Sequence, residues 1–385
     1  MSGFFTAPRI AWGPGAIEQL GGLGIRSALV LIDPVIARSD PARRVTLELE
    51  RAGTSSILVD DVPAVATLRT LATLVDRSAA SPFDAVLAMG GGSLIDLAKA
   101  LVATRARPDL DITTLTPLAE VAVPARPRLI AIPTTGGSGS EATGSAHLLA
   151  ADGATVEISH RDLTPDWALV DATFGRSMPP TLAIDTGMEV VAHSLEAIAS
   201  EWANPFSDAL ARDAAATAFA ALPRLARHPR DEEARTALFY GATRAGLAAS
   251  NAQLGLAHAL ARALLPDTGL GYGRVLGIVL PYVVEFNFAS ARDRYQSLGP
   301  VLSEPAGQVH ATLSERLRAL GEQLQIPRTL IGAGVPIEAI HARRAVIVDR
   351  ALHATTCIAN PRVPSADELR RLVDLVSGSD GSRRP

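Results

Sequence analysis

The apolar run Ala85-Val86-Leu87-Ala88-Met89 breaks at Gly90-Gly91-Gly92. It continues as Ser93-Leu94-Ile95-Asp96-Leu97-Ala98-Lys99, where Leu94, Leu97, Ala98 and Leu101 recur on one helical face. A short stretch apolar at every position suits a buried strand, and the 3.6-residue recurrence after the glycines suits a helix. Strand, glycine turn and helix together aim backbone N–H groups and the positive end of a helix at the space beyond the strand, which favours a phosphate. Glycine matters there because a Cβ would hold a phosphate away from the main chain. Many strand-to-helix turns contain glycine and bind nothing, so the reading depends on what else the chain brings to the same place.

Other segments repeat the alternation. Arg26 to Ile32 reads as a buried strand ending at Asp33-Pro34, with a helix from about Pro41 to Arg51. Ser55 to Val59 and Leu129 to Pro133 read as further strands, and Leu68 to Ala79 as a helix. Strands alternating with helices predict a parallel sheet with helices on both faces, and ligands of such sheets bind beyond the carboxyl ends of the strands. Asp33, the turn Gly90-Gly91-Gly92-Ser93, and the loop Thr134-Thr135-Gly136-Gly137-Ser138-Gly139-Ser140-Glu141 all fall at such ends and are expected to meet in one crevice. A carboxylate at Asp33 can accept from an adenosine ribose diol and repel a 2′-phosphate. It can equally be a turn or helix-capping residue before Pro34. The Thr134 to Glu141 loop is rich in hydroxyl and amide donors, as an ordinary flexible loop can also be.

A hairpin is expected between Thr143 and Val170, and Pro179-Pro180 closes the first half. The remainder is rich in alanine and leucine with helical periodicity, broken near Pro205, Pro229, Pro266 to Gly273 and Pro327. The expected organisation is an α/β dinucleotide-binding domain over residues 1–180, an all-helical domain over residues 181–376, and a disordered tail over residues 377–385. With 385 residues the chain exceeds a single small core. A net charge of −4 argues against nucleic acid or a membrane surface as partner. The single cysteine, Cys357, excludes a disulfide framework and a multi-cysteine metal site. No signal peptide pattern and no uninterrupted apolar run of about 18 residues is present, so a cytoplasmic protein without a membrane span is expected.

In the second half, Glu189 and His193 stand four apart and share one face of a helix. His258 lies in another helical stretch. A carboxylate with two imidazoles suits a divalent metal such as zinc or iron, although a Glu/His pair at this spacing is more commonly a solvated helix face.

Taken together, these stretches resemble the iron-containing (group III) alcohol dehydrogenases of the dehydroquinate-synthase-like superfamily. The resemblance runs from Trp12 to Gly21, through Gly90 to Lys99, Pro133 to Glu141, Leu169-Val170-Asp171 and Met178-Pro179-Pro180, to Gly187 to Ser200 and Leu280-Pro281. It implies a dinucleotide-binding α/β domain and a helical domain with the active site in the cleft between them, reducing carbonyls or oxidising alcohols with NAD(H) or NADP(H). It also implies that Asp33 faces the adenosine ribose, that Gly90, Gly91, Gly92, Ser93 and Asp96 belong to the pyrophosphate motif, and that Thr134, Thr135 and Ser138 lie on the nicotinamide side.

The family's usual metal ligands are an Asp, a His four residues on, and two later histidines. Here these positions align with Glu189, His193, His258 and Tyr272, and a further family histidine aligns with Arg262. Glutamate for aspartate is tolerable, whereas a neutral phenol with a pKa of about 10 is a poor ligand at pH 7. Glu189, His193 and His258 with a water would suffice to hold a catalytic zinc, but a metal-free site is expected. Tyr272, His258 and His193 are then the candidates for proton donation or oxyanion stabilisation. Arg262, with Arg274 assisting, would hold an anionic group; alternatively Arg262 pairs with Asp267. The expected activity is NAD(P)H-dependent, reversible reduction of a small, anionic aldehyde or keto acid, with NAD(H) preferred, by a homo-oligomer such as a dimer. The alternatives are a nucleotide-binding relative that has lost catalysis and a lyase or cyclase.

Overall fold

In a computed structural model the chain is described over residues 4–120, 126–299, 302 and 312–379. It divides into two compact units, Met1–Met178 and Pro179–Pro385.

The first unit contains β1 (Arg9–Trp12), β2 (Ser27–Ile32), α1 (Asp40–Arg51), β3 (Ser55–Val59), α2 (Leu68–Ser78), β4 (Ala85–Gly90) and α3 (Gly92–Ala106). Then follow β5 (Arg128–Pro133), β6 (Ser145–Leu149), β7 (Thr155–Ser159) and β8 (Trp167–Val170). Six strands form one sheet in the order β1-β8-β5-β4-β2-β3, and every neighbouring pair is parallel. All six residues of β4 are buried, as a central strand covered on both faces requires, whereas only Val59 is buried in the edge strand β3. Side chains of α2 and α3 pack on one face of the sheet, around Val86 and Ala88, and those of α1 on the other, around Leu87 and Met89. The expected hairpin is β6-β7, a separate antiparallel pair. Strands β1 and β8 carry no sequence signal of their own because four residues are too few to show a period.

From β2 the chain crosses to β3 on one side, and from β4 it crosses to β5 on the other. The strand order therefore reverses between β2 and β4, the place where open parallel sheets leave a crevice.

Asp171, fully buried just after β8, secures the other side of the sheet. Its Oδ2 accepts from the Gly15 N–H at 3.0 Å, and its Oδ1 accepts from the Thr173 N–H at 3.0 Å and the Thr173 hydroxyl at 2.6 Å. One carboxylate thus joins the turn after β1 to the end of β8.

The second unit consists of α4 (Pro180–Ala199), α5 (Pro205–Arg227), α6 (Glu232–Ala252), α7 (Leu256–Leu264), α8 (Tyr272–Gln296), α9 (Leu313–Gln323), α10 (Ile337–Leu352) and α11 (Ala366–Ser377), with short 3₁₀ turns. Its breaks follow local chemistry. Asn204 caps α5 in a reciprocal capping box, with Pro205 in the first turn. Alanines of α5 and α6 let these helices approach α4 closely. Among the described residues one helix, α8, is long and apolar enough to cross a membrane, but 61% of its apolar window is buried inside the unit, the setting of a core helix. The expected disordered tail requires correction at its start. Ser377 is buried and ends α11, and Gly378, at φ 87°, forms a left-handed C-cap. Residues 380–385 lie outside the described residues.

Replacing Asp171 by Ala would strand buried N–H donors, each costing about 1–3 kcal/mol. Asp171→Ala is expected to lower the unfolding free energy by at least that amount in a denaturant titration, while Asp171→Asn, which keeps one acceptor oxygen, loses less.

Candidate active site

The first unit gathers the three expected loops. Strands β2, β4 and β5 are neighbours in register, so Asp33, the Gly90-Gly91-Gly92-Ser93 turn and Thr134 emerge side by side from their carboxyl ends. Backbone bonds hold them there: Asp33 N–H donates to Met89 O at 3.0 Å, and Thr134 N–H donates to Gly90 O at 3.0 Å. The close approach explains Gly92, where a Cβ would stand 2.5 Å from Ser138 Oγ, whereas one on Gly91 would meet Thr135 Oγ1 at an ordinary contact distance of 3.5 Å. Helix α3 starts here with Gly91 as N-cap and no side chain capping it, and Ser93 is exposed in its first turn. The uncapped N–H groups and the helix dipole suit an anionic diphosphate. Asp33 is half-buried, and its Oδ1 accepts from Val35 N–H at 2.9 Å. One oxygen therefore does the turn's work, and Oδ2 is the acceptor that could serve a ribose.

Asp96, expected with the phosphate motif, is placed differently. It is buried with both oxygens engaged inside the unit. Oδ1 accepts from the Ser140 hydroxyl, and Oδ2 accepts from His147 N–H at 3.0 Å and lies 3.2 Å from His147 Nδ1. It supports the loop and does not present an oxygen to a ligand.

In the second unit, α4 and α7 bring His193 and His258 together with ring centroids 4.6 Å apart, and the Tyr272 ring lies 6.1 Å from that of His258. Tyr272 is held at the start of α8 by Gly273, where a Cβ would stand 2.0 Å from the Asp185 carbonyl oxygen of α4. The guanidinium of Arg262 lies over the Tyr272 ring, 5.9 Å from its centroid. Arg274 is not available to assist it, because it pairs with Asp185 at 2.9 Å and donates to Gln325 O at 2.9 Å. Burial raises the Asp185 carboxyl above its ordinary range, and Arg274 opposes that rise. Asp267, the alternative partner expected for Arg262, forms an ion pair with Arg343 at 3.6 Å.

The metal set Glu189, His193 and His258 is not assembled as such. Among the described residues no three His, Cys, Asp or Glu side chains form a group that could hold a metal ion. A guanidinium beside Tyr272 adds a positive charge where the family pattern puts its last ligand, which disfavours a second cation there. Tyr272 and Arg262 depart in chemistry from the histidines of the pattern.

Glu196, one turn beyond His193 on α4, completes this half. It is buried, and its Oε2 lies 2.5 Å from His258 Nδ1 and accepts from Gly255 N–H at 2.9 Å. Its Oε1 accepts from Ala257 N–H at 2.5 Å, and Asn360 Oδ1 accepts from Leu256 N–H at 3.1 Å. Helix α7 has no cap of its own, so two side chains distant in sequence cap it and aim His258. Burial pushes the Glu196 carboxyl up to about 7, opposed by the backbone donors of Gly255 and Ala257. With Nδ1 engaged by Glu196, Nε2 is the imidazole nitrogen that can serve a reaction. The signal in the sequence was the spacing His193 to Glu196, but its partner lies 62 residues away.

A family model described as iron-containing alcohol dehydrogenase matches residues 7–172, and one described as Fe-containing alcohol dehydrogenase family, C-terminal, matches residues 183–375. The chain belongs to the iron-containing alcohol dehydrogenase family. It is 30% identical over 382 residues to the NADPH-dependent butanol dehydrogenase of Clostridium saccharobutylicum, with 97% of each chain covered. It is 30% identical over 388 residues to an alcohol dehydrogenase of Thermococcus barophilus, covering 97% of this chain and 98% of that one. The solved iron-containing alcohol dehydrogenase of Thermococcus thioreducens superposes with a TM-score of 0.87 at 30% identity, covering 96% of this chain and 98% of that one.

Glu196→Ala is expected to lower stability by about 1–3 kcal/mol for each buried donor it strands. Glu196→Gln, which retains an acceptor oxygen, should lose less. Chemical denaturation of both variants checks the order.

Proposed function

We propose that this protein is a cytoplasmic NAD(P)H-dependent oxidoreductase that reduces a small anionic aldehyde or keto acid, reversibly, without a catalytic metal. A bound nicotinamide nucleotide supplies the hydride in reduction and accepts it in oxidation. The first unit's part is to hold that nucleotide. The N–H groups at the start of α3, with Gly91 and Gly92 bare of side chains, suit the pyrophosphate, and Thr134, Thr135 and Ser138 offer hydroxyls beside it. Asp33 supports a preference for NAD(H), because a carboxylate accepts from a 2′-hydroxyl and repels a 2′-phosphate. The butanol dehydrogenase relative is named as NADPH-dependent, so the preference is assigned to this chain's own Asp33.

The second unit's part is to supply a proton and hold the substrate. His258, oriented through Nδ1 by Glu196, can deliver a proton from Nε2. Tyr272 and His193 offer further donors to the oxygen that becomes the alkoxide. Arg262 is assigned to the substrate's anionic group, which a guanidinium grips in bidentate fashion. The observation that carries this reading is the Arg262 guanidinium over Tyr272, a positive charge where the family pattern has ligands for a metal. The protein is proposed to act as a homodimer.

Protein purified without chelator should contain no stoichiometric zinc or iron by elemental analysis and should still consume NADH with an anionic aldehyde. Stoichiometric metal whose removal abolishes turnover overturns the metal-free assignment. Arg262→Ala should raise KM for an anionic aldehyde by about tenfold or more, the loss of one charged hydrogen-bonded contact. It should leave KM for a neutral aldehyde of equal length within about twofold. Equal effects on both substrates overturn the anion site. NADH binding with no turnover of any carbonyl or alcohol supports the nucleotide-binding alternative that lacks catalysis, which the disrupted ligand set favours over a lyase or cyclase.

A further inference from the structure

Thr356 is the most buried threonine among the described residues, with 1% of its surface exposed, and its Oγ1 has no hydrogen-bond partner there. The Oγ1 of Thr355 beside it is also buried without a partner. Threonines in the long helices of this chain meet the same problem by bonding back along the helix. The hydroxyls of Thr46, Thr73, Thr104 and Thr186 donate to the carbonyls of Ala42, Arg69, Ala100 and Leu182, at distances between 2.9 and 3.3 Å. Thr356 makes no such bond. A buried hydroxyl left unpaired is destabilising, so its retention calls for a physical reason.

The place of Thr356 in the fold supplies one. It lies in a 3₁₀ turn, Thr355–Ala359, that packs against α7. Helix α7 carries His258 and Arg262, four apart and so on one face. The turn is fastened along its length. Cys357 Sγ donates to the Ala351 carbonyl at 3.4 Å, and the Ala359 carbonyl accepts from Glu201 N–H at 2.9 Å. The next residue, Asn360, accepts from Leu256 N–H at the start of α7 and donates to Asn287 Oδ1 and to the Arg362 carbonyl. The backbone on both sides of Thr356 is thus tied to its neighbours, and the hydroxyl is held beside α7.

We propose that Thr356, with Thr355 beside it, is a substrate-contacting residue whose hydroxyl donates to an oxygen of the substrate's anionic group while Arg262 holds the same group by charge. The proposal rests on the carbonyl-reducing reading given above and deepens it, by giving the anion a second contact from outside α7. A hydroxyl kept unpaired in the free protein gives up no internal hydrogen bond when an acceptor arrives, so the whole of the new bond favours the complex. The stability lost in the free protein is the counterpart of that gain, as at other sites where function opposes stability.

Thr356→Val keeps the shape of the side chain and removes the hydroxyl, which separates this role from a structural one. Without ligand, its apparent Tm should hold or rise by up to about 3 °C. Steady-state assays use the full chain, whichever of NADH and NADPH supports turnover, and glyoxylate, pyruvate and succinic semialdehyde, with acetaldehyde, acetone and butanal as neutral counterparts. For the anionic substrate turned over best, KM should rise about fivefold or more in Thr356→Val, with kcat and the KM of the neutral counterpart within about twofold of wild type. Thr356→Ser restores the hydroxyl, should bring KM back to within about twofold, and keeps the comparison open if the valine variant fails to fold, because a KM raised fivefold in the serine variant counts against the hydroxyl. A lower Tm for Thr356→Val marks a hydroxyl with a partner inside the protein and overturns the inference. So does an unchanged KM for the anionic substrate, or an equal rise for its neutral counterpart. Each of these results leaves the carbonyl-reducing reading in place. Wild-type protein that turns over none of the anionic substrates overturns the anionic-substrate reading and this inference with it.

Discussion

A helix buried on all sides can carry charge only where a partner meets it, because an isolated ion in a low-dielectric interior is prohibitively destabilising. Helix α3 is such a helix, and it carries Asp96 and Lys99 one turn apart. Their partners are supplied by the segment from Ser140 to His147. This requirement ties the first unit together. The helix cannot keep its place in the core unless that segment folds against it, and the segment carries the hydroxyl loop to the glycine turn. Burial of the central strand β4 and the helix beside it therefore shapes the wall that faces the glycine turn.

The second unit solves a related problem with the same chemistry. Helix α7 begins without a capping side chain of its own, so its first N–H groups need acceptors from elsewhere. Glu196 and Asn360 provide them, and the buried glutamate holds His258 by the same set of contacts. Asn360 is itself fixed by reciprocal amide bonds with Asn287, at 3.0 Å each. A core polar network is stable only when its members are satisfied together, so the orientation of the His258 imidazole is built into the packing.

Membership of the iron-containing alcohol dehydrogenase family defines the fold and the general chemistry. Within that frame the resemblance sets Tyr272 against one of the family's metal ligands and Arg262 against a further family histidine, and the two side chains lie against one another as cation and aromatic ring. The two substitutions make physical sense as a pair. A guanidinium beside a metal-binding histidine would be repelled by the ion, whereas beside a phenol it gains a ring face and can still hold an anion.

Much of this was legible from local pattern. Strand β4, its glycine turn and α3 follow from an apolar run, three glycines and a helical period. Asp33 and Thr134 fall at strand ends that the same alternation defines. The sequence by itself thus determined the parallel sheet, the helical second half and the convergence of three loops, because each depends on contacts between near neighbours or on a repeating period. It did not determine the short strands β1 and β8, which pair with one another across more than 100 positions while β8 also pairs with β5. Nor did it show that Asp96 turns inward, that Arg274 is taken by Asp185, or that Glu196 reaches His258. Those assignments depend on which buried polar atoms face one another after the chain has packed. Only the tertiary structure decides that, because a carboxylate's role is set by the donors around it and not by its own place in a motif.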